Sequence, residues 1–510
     1  MSMKCRILNG ICRLLYYKEY KKFTAPCDIK KVQVKYLTRL LKQNAKTVYG
    51  RKYNFRKIRN YEDFANQVPL AAYEDYEPYI QMAADGKKQI LTKEKIRLFE
   101  LTSGSSGGKK MIPYTKTLKK EFQRGIKPWL YDIYRNIKNA DSGKSYWSIT
   151  PVTAEKSYTK SGIPVGFEED SEYFGFVVQK IMKQLFAVDD SVRFVKDMED
   201  FYKKTAVQLL DCSKLTLVSV WNPTFLILLC DFIYENRGYL ASLMRTEKRQ
   251  HFTEAAEQKR FDKVFPDLKI ISCWADGSAA SYIAKVQEYF PGVFIQPKGL
   301  LATECIMSFP LTGEEGARLG IYSHFFEFRR LTDGKIVTAD RLSLGEYELI
   351  VTTGGGFYRY CIGDIIEVLA VYPDAPPRIK FLRRKGICSD LAGEKLTEEF
   401  VRGVCEKLGI SSYFCLLAPE KTHYCLYTSA EYITSEILDQ ALCESYHYNY
   451  CRQLGQLKQA QVIMVSNGPG GYISRLAGEG MRIGDIKPAY LSKKSGWGKY
   501  FDIQEEKMKC

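Results

Sequence analysis

Histidine is scarce in this 510-residue chain: His251, His324, His423 and His447 are the only four, and none pairs with another at metal-ligand spacing. Neither a zinc site nor a histidine-based catalytic triad is expected. The fifteen cysteines are scattered, with no two separated by two residues, so reduced thiols in the cytoplasm are expected rather than a disulfide or metal framework. Long apolar runs are missing too. Phe225 to Cys230 is far too short to cross a bilayer, and no membrane span is expected. Met1 to Phe23 is basic, but Arg6 and Arg13 interrupt its apolar residues, so it reads as an amphipathic surface helix and not as a signal peptide. No repeat period, low-complexity tract or proline-rich linker divides the chain.

Charge is present in excess of one sign. Lys and Arg number 76 against 59 Asp and Glu, a net charge of +17, which favours polyanions, acidic small molecules or an anionic membrane surface as partners. The basic residues are spread out, with only short clusters such as Lys18 to Lys22 and Arg383 to Lys385. That distribution reads as a solvated surface, and nucleic-acid binding is not expected. The length allows a large core and more than one domain.

The middle of the chain alternates strand and helix. Leu215 to Val220 and Leu268 to Cys273 read as buried strands, and Phe294 to Gln296 begins a third. Asn222-Pro223 offers an N-cap and first-turn proline to a helix through Phe225, Leu229 and Phe232. A second helix, capped near Ser278, would bury Ile283, Val286 and Phe290. Strands and helices in this order predict a parallel sheet with crossover helices, an α/β fold. After Gly320 the pattern turns to strands, Tyr322 to Phe328, Glu346 to Thr352, Phe357 to Tyr360, Ile365 to Val371 and Ile379 to Leu382, expected as an antiparallel sheet or small barrel. Beyond Arg384 come a helix at 397–408, strands at 413–417 and 424–427, a long helix at 435–454 and a strand at 461–465. These predict a small α+β domain, giving 1–384 as the large domain and 385–510 as the small one.

Four segments carry the chemistry. Thr102 to Pro113, Thr-Ser-Gly-Ser-Ser-Gly-Gly-Lys-Lys-Met-Ile-Pro, is placed between a short strand at Ile96 to Leu101 and a helix through Leu118, Phe122 and Ile133. Its glycines let successive N–H groups face an anion, its hydroxyls add donors, and Lys109 or Lys110 adds charge; the same composition also suits a solvated turn. Leu300 to Glu304 follows a predicted buried strand, where ligands of open α/β sheets bind. Its hydroxyl and carboxylate suit a phosphate and Mg²⁺, or else a capped helix start. Tyr358 to Asp364 places an aspartate after a strand, positioned for ribose hydroxyls or for a simple hairpin turn. Lys487, in Gly484 to Pro488, reads as a solvated charge when taken alone. Gly143-Lys144-Ser145 is preceded by Lys138 where a P-loop needs glycine, which excludes that motif. Trp129, Tyr146 and Trp147 are expected in the core.

In this order the segments resemble the Gretchen Hagen (auxin-responsive promoter) family of acyl-acid amido synthetases, in its bacterial-type branch within the adenylate-forming superfamily. Thr102 to Ser106 looks like that family's Ser-Ser-Gly-Thr-Ser core. Leu300 to Glu304 is similar to Tyr-Ala-Ser-Ser-Glu, and Tyr358 to Asp364 to Tyr-Arg-x-x-x-Gly-Asp. Phe381 to Lys385, continuing through Gly393-Glu394-Lys395, resembles the hinge, and Lys487-Pro488 the late Lys-x-Pro segment. Val220 to Phe225 and Ser272 to Gly277 have the look of the bacterial branch. The chain departs from the family in a loop one residue shorter before its proline, in Leu300 for the motif tyrosine, and in the missing residue between Lys487 and Pro488.

The resemblance implies an adenylate-forming architecture and an ATP-dependent ligase that adenylates a carboxylic acid, releases pyrophosphate and transfers the acyl group to an amine such as an amino acid. It implies phosphate contacts from Ser103, Gly104, Ser105, Ser106 and Lys110, an adenylate-phosphate contact from Thr303, and Mg²⁺ near Glu304. Asp364 would hold the ribose, and the backbone at Gly277 and Ser278 the adenine. Lys487 would reach the α-phosphate, with Arg384 and Lys385 as the hinge. The partners are then small acids and amines, and the expected oligomeric state is a monomer. The alternatives are an acyl-CoA-type ligase and a non-catalytic nucleotide-binding regulatory protein.

Overall fold

The computed structural model describes residues 2–103, 109–148, 157–166, 176–195, 197–244, 246–386, 388–392, 394–453, 455–481 and 483–504. Its centre is a four-stranded, all-parallel sheet, ordered Lys144–Trp147, Leu215–Ser219, Ile270–Cys273 and Phe294–Pro297. Both faces of such a sheet are covered, which is why Leu215–Ser219 and Ile270–Cys273 are buried at every position instead of alternating. The crossover helix Pro223–Glu235 starts as its sequence suggests: the Asn222 side chain accepts from the Thr224 N–H, and Pro223 occupies the first turn. After Ile270–Cys273 the chain makes a 3₁₀ turn, Gly277–Tyr282, before the helix Ile283–Tyr289.

The second half of the large region is an antiparallel sheet of seven strands, ordered Ser308–Phe309, Ala317–Leu319, Arg378–Arg384, Tyr360–Ala370, Gly345–Thr352, Phe325–Arg330 and Ile336–Thr338. One apolar cluster joins its inner face to the helices Ile29–Asn44 and Tyr73–Ala84, through Tyr36, Leu40, Tyr76, Phe326, Leu349 and Ile366. The expected strand Phe357 to Tyr360 is not there. Residues 353–359 form a turn that packs against the helix Lys116–Asn136, and the strand starts at Tyr360, running without a break to Ala370.

The segment Thr102 to Pro113 also differs from its expected strand-loop-helix context. Lys109–Tyr114 is a strand paired antiparallel with Leu98–Ser103, in a register that sets Ser103 opposite Lys109. The helix Lys116–Asn136 begins only after Thr115, whose side chain accepts from the Leu118 N–H. Pairing across the hairpin satisfies backbone groups that a loop would have left to water.

Towards the C-terminus, the strands Cys415–Pro419, Tyr424–Thr428 and Gln461–Met464 form a three-stranded sheet with one antiparallel and one parallel pair. The long helix expected over 435–454 is two helices, Ser435–Leu442 and Tyr446–Gln453. The break has a polar cause. Buried Asp439 accepts from Arg452 Nη2 (2.9 Å), Tyr448 Oη (2.7 Å) and the Ala460 N–H (2.9 Å). In one straight helix Asp439 and Arg452 would be roughly 20 Å apart along the axis. Phe414, Leu416 and Trp497 of this C-terminal region share one apolar cluster with Val218 and Phe225, beside the parallel sheet.

Candidate active site

The four parallel strands end side by side, and each delivers a distinctive residue at its C-terminal edge. Trp147 closes the first strand, Ser219 the second with Trp221 two residues on, Trp274 follows the third, and Lys298 follows the fourth. This edge is where α/β sheets bind ligands, because the crossover loops diverge there and leave a crevice. Lys298 Nζ donates to Ser219 Oγ at 2.8 Å and lies over three indole rings, Trp221 at 4.7 Å, Trp129 at 4.9 Å and Trp147 at 5.9 Å. Among the described residues it makes no ion pair. Burial therefore pushes the ammonium down, to about 7, with only the Cys273 thiol opposing the shift.

Lys298 also lines a pocket with Trp274, Asp276, Leu301, Phe381 and Lys487. Asp276 is raised to about 6 because burial outweighs the pull of Lys380 and of the Phe381 backbone N–H. Gly277 adopts φ +58°, and a Cβ there would stand 3.1 Å from both the Phe381 ring and the Leu382 carbonyl oxygen. Conformation and close approach both call for glycine at this wall. Lys487 enters from the last part of the chain, its ammonium 5.2 Å from the centre of the Trp274 ring and 5.9 Å from that of Phe381. Tyr472 Oη, on the C-terminal helix Gly468–Gly478, donates to the Lys487 carbonyl at 3.0 Å, and Asn222 Nδ2 donates to the Ile486 carbonyl at 2.7 Å, which fastens this segment to the parallel-sheet region.

Beyond Leu301 the wall continues into a buried charge cluster. Thr303-Glu304 is the two-residue turn between the strands Leu301–Ala302 and Cys305–Ile306, so the reading of a capped helix start is corrected. Tyr114 Oη donates to the Thr303 carbonyl at 2.7 Å, and Tyr360 Oη donates to Glu304 Oε1 at 3.3 Å. Burial raises the Glu304 pKa and Asp364 pushes the same way, against the pull of Arg384 and Lys110.

Asp364 is neither at a strand end nor in a hairpin turn. It sits inside the strand Tyr360–Ala370, where Glu348 pairs with Ile365 but Ile350 pairs with Cys361, so Ile362, Gly363 and Asp364 bulge opposite Leu349 alone. Gly363 at φ +84° makes the bulge possible. Asp364 is 2% exposed, its Oδ1 accepts no hydrogen bond among the described residues, and its nearest cation is Arg384 Nε at 4.0 Å.

Structure thus brings together Glu304, Asp364, Arg384 and Lys110 in one cluster, with Lys487 in the pocket beside it and Gly277 packed against the Phe381 ring of that pocket's wall. Lys110 also lies 3.9 Å from Glu74 and 5.0 Å from the centre of the Tyr73 ring. Lys385 is turned away to Glu348 at 2.9 Å, and its N–H donates to the Gly363 carbonyl at 2.6 Å. Gly104, Ser105 and Ser106 lie outside the described residues, and for Ser103 and Ser278 only the backbone is described. Lys298 lies in no motif and Asp276 only in the flanking run Ser272 to Gly277, and local reasoning missed both as site residues. The available signal was tryptophan placement: four of the five in the chain converge here, three of them at or just past strand ends. Trp129 and Tyr146 are in the core as expected, whereas Trp147 is only half-buried.

Fold and site together define an α/β protein with a cationic, aromatic-walled pocket at the C-terminal edge of a parallel sheet, closed by a C-terminal segment. Residues 17–255 match the GH3 family N-terminal domain and residues 318–384 the GH3 family central domain. The chain belongs to the GH3 family. The probable indole-3-acetic acid-amido synthetase GH3.1 of Arabidopsis thaliana is 24% identical over 420 residues, covering 74% of this chain and 70% of that protein. The jasmonoyl--L-amino acid synthetase JAR4 of Nicotiana attenuata is 23% identical over 450 residues, covering 79% and 76%. Among solved structures, AtGH3.15 acyl acid amido synthetase in complex with 2,4-DB superposes with a TM-score of 0.77 at 19% identity, over 96% of this chain and 95% of that one. The fold is shared across almost the whole length.

Proposed function

We propose that this chain is an ATP-dependent acyl-acid amido synthetase. A carboxylate oxygen of the acid attacks the α-phosphorus of ATP and the bond to pyrophosphate breaks. An amine nitrogen, supplied by an amino acid, then attacks the acyl carbon; the bond to AMP breaks and an amide forms, with loss of a proton. Family membership and relatives named as amido synthetases support this reading. The observation that carries it is the placement of Lys487 over one pocket with Asp276 and Phe381, beside the buried Glu304 and Asp364 and the half-buried Arg384.

Each residue has a task in this scheme. Ser103, Gly104, Ser105, Ser106 and Lys110 hold the phosphates, and Thr303 contacts the adenylate phosphate. Asp364, whose buried Oδ1 lacks a hydrogen-bond partner among the described residues, accepts the ribose hydroxyls. The backbone at Gly277 and Ser278 meets the adenine, against the Phe381 ring. Lys487 neutralises charge developing at the α-phosphate. Glu304 fits a magnesium ion, since a cation shared with nucleotide phosphates would favour a carboxylate that burial otherwise pushes toward protonation. That ion would supply charge neutralisation for departing pyrophosphate. The acyl end is assigned to the Lys298 side, where indole faces suit an apolar or aromatic acid. Residues 1–384 and 385–510 form the two domains of the scheme, and reorientation about Arg384 and Lys385 admits the amine; the site of reaction is the cytoplasm.

A pyrophosphate-release screen of carboxylic acids, with and without an amino-acid mixture, tests the reading, with mass spectrometry of the product. Acid-dependent release and an amide mass are the expected outcome. A thioester formed with coenzyme A and no amide would indicate the acyl-CoA-type ligase, and ATP retention without acid-dependent release would indicate a non-catalytic nucleotide-binding protein.

A further inference from the structure

The first helix, Ser2–Thr24, has two apolar faces, and the fold uses only one. Cys5, Cys12, Tyr16 and Phe23 are buried against Leu130, Ile133 and Tyr134 of the helix Lys116–Asn136, with Asn9 held by the Asp141 carbonyl at 2.8 Å. On the opposite side Met3, Ile7, Ile11 and Leu14 are 76%, 57%, 40% and 79% exposed. At 100° per residue these four fall within roughly 80° of arc, a continuous stripe pointing away from the protein. Single exposed apolar residues need no explanation, but a stripe of four on one helix face does.

Charge indicates what meets the stripe. Lys4 at one end and Lys18 and Lys21 at the other lie on the same outward face, exposed, and make no ion pair among the described residues. Across the helix, six basic residues stand against one acidic residue, Glu19, on a chain of net charge +17. A second copy of the chain would bring these lysines together, which like-charge repulsion disfavours. An anionic bilayer accepts both features, with apolar side chains in the acyl boundary and lysine ammonium groups at the headgroups. The helix is not built to span: among the described residues no helix is long and apolar enough to cross a membrane. The family match begins at residue 17, so Met3 to Leu15 lie ahead of the segment on which membership rests.

The geometry points to the outward face of Ser2–Thr24 as a peripheral membrane-binding surface, selective for anionic lipid headgroups. This inference is independent of the proposed reaction. Flotation of the full chain with vesicles tests it, using phosphatidylcholine alone and phosphatidylcholine mixed with phosphatidylglycerol. The wild-type chain is expected to float with the mixed vesicles at least tenfold more than with the neutral ones, and to be released by high salt. Ile7→Glu with Leu14→Glu should abolish flotation while leaving the thermal melting temperature unchanged, because both side chains are exposed. Lys18→Glu with Lys21→Glu, which keeps the apolar stripe, should reduce it at least tenfold. Equal binding to both vesicle types, no binding to either, or a dimer in sedimentation that Ile7→Glu with Leu14→Glu dissociates would each overturn the proposal.

Discussion

Lys298 donates its buried ammonium to Ser219 at 2.8 Å, so the two parallel strands on either side of Ile270–Cys273 are joined at their C-terminal ends by a group that burial holds near pKa 7. The lowered pKa means that the folded state binds this proton less tightly than the unfolded chain does. Lysine at 298 therefore costs stability, fully below pH 7, and the cost fades as pH rises from about 7 to 10.5. Lys298→Met is expected to raise stability by a few kcal/mol at pH 6, with the gain shrinking toward pH 10. Urea midpoints at three pH values check this. The same variant should raise KM for the acid at least tenfold.

Arg359 is held at φ +53° and clamps three elements. Its guanidinium pairs with Glu327 at 2.9 Å and donates to the carbonyls of Ala65 and Val68 at 2.7 and 2.8 Å. Removing the cation leaves Glu327 buried and uncompensated, since burial already raises its pKa and Arg359 is the main opposing influence. Arg359→Ala is expected to cost about 3–5 kcal/mol in equilibrium unfolding. A loss below about 1 kcal/mol would mean that water or a rearranged partner replaces the clamp.

Asp364→Ala should lower acid-dependent ATP–pyrophosphate exchange by about tenfold or more, the loss of one charge-assisted contact. Because its Oδ1 accepts no hydrogen bond among the described residues, the fold has little to lose, and the melting temperature should stay the same or rise. A variant that melts lower with unchanged exchange would reassign Asp364 to structure.

Lys487→Ala should slow adenylate formation at least tenfold with little change in stability, because its ammonium faces the Trp274 and Phe381 rings and the backbone contacts of its segment survive. Single-turnover measurement of acyl adenylate checks the point; an unchanged rate would remove Lys487 from the site.

Local signals carried the buried parallel strands, the Asn222-Pro223 helix start and the helix at 397–408, which the structure gives as Glu398–Lys407, because hydrophobic runs and capping residues act over a few positions. They did not carry the split between Ser435–Leu442 and Tyr446–Gln453. The apolar spacing there suits one helix, and the break answers to Asp439, Tyr448, Arg452 and Ala460 meeting in the interior. Likewise, Gly363-Asp364 reads locally as a turn. Pairing with both Gly345–Thr352 and Arg378–Arg384 keeps it within a strand as a bulge.

The sequence by itself determined the alternation of strands and helices, the five segments that resemble a family of acyl-acid amido synthetases, and the basic balance of the chain. Periodicity, turn chemistry and motif order are all written along the backbone. Tertiary structure alone decided that Lys298 is buried among three indoles without an ion pair among the described residues, that Asp364 keeps a carboxylate oxygen without a hydrogen bond in a bulge, and that Glu304 occupies a hairpin turn beside both Asp364 and Arg384. Burial and electrostatic environment depend on residues hundreds of positions away, and only the folded chain brings those together.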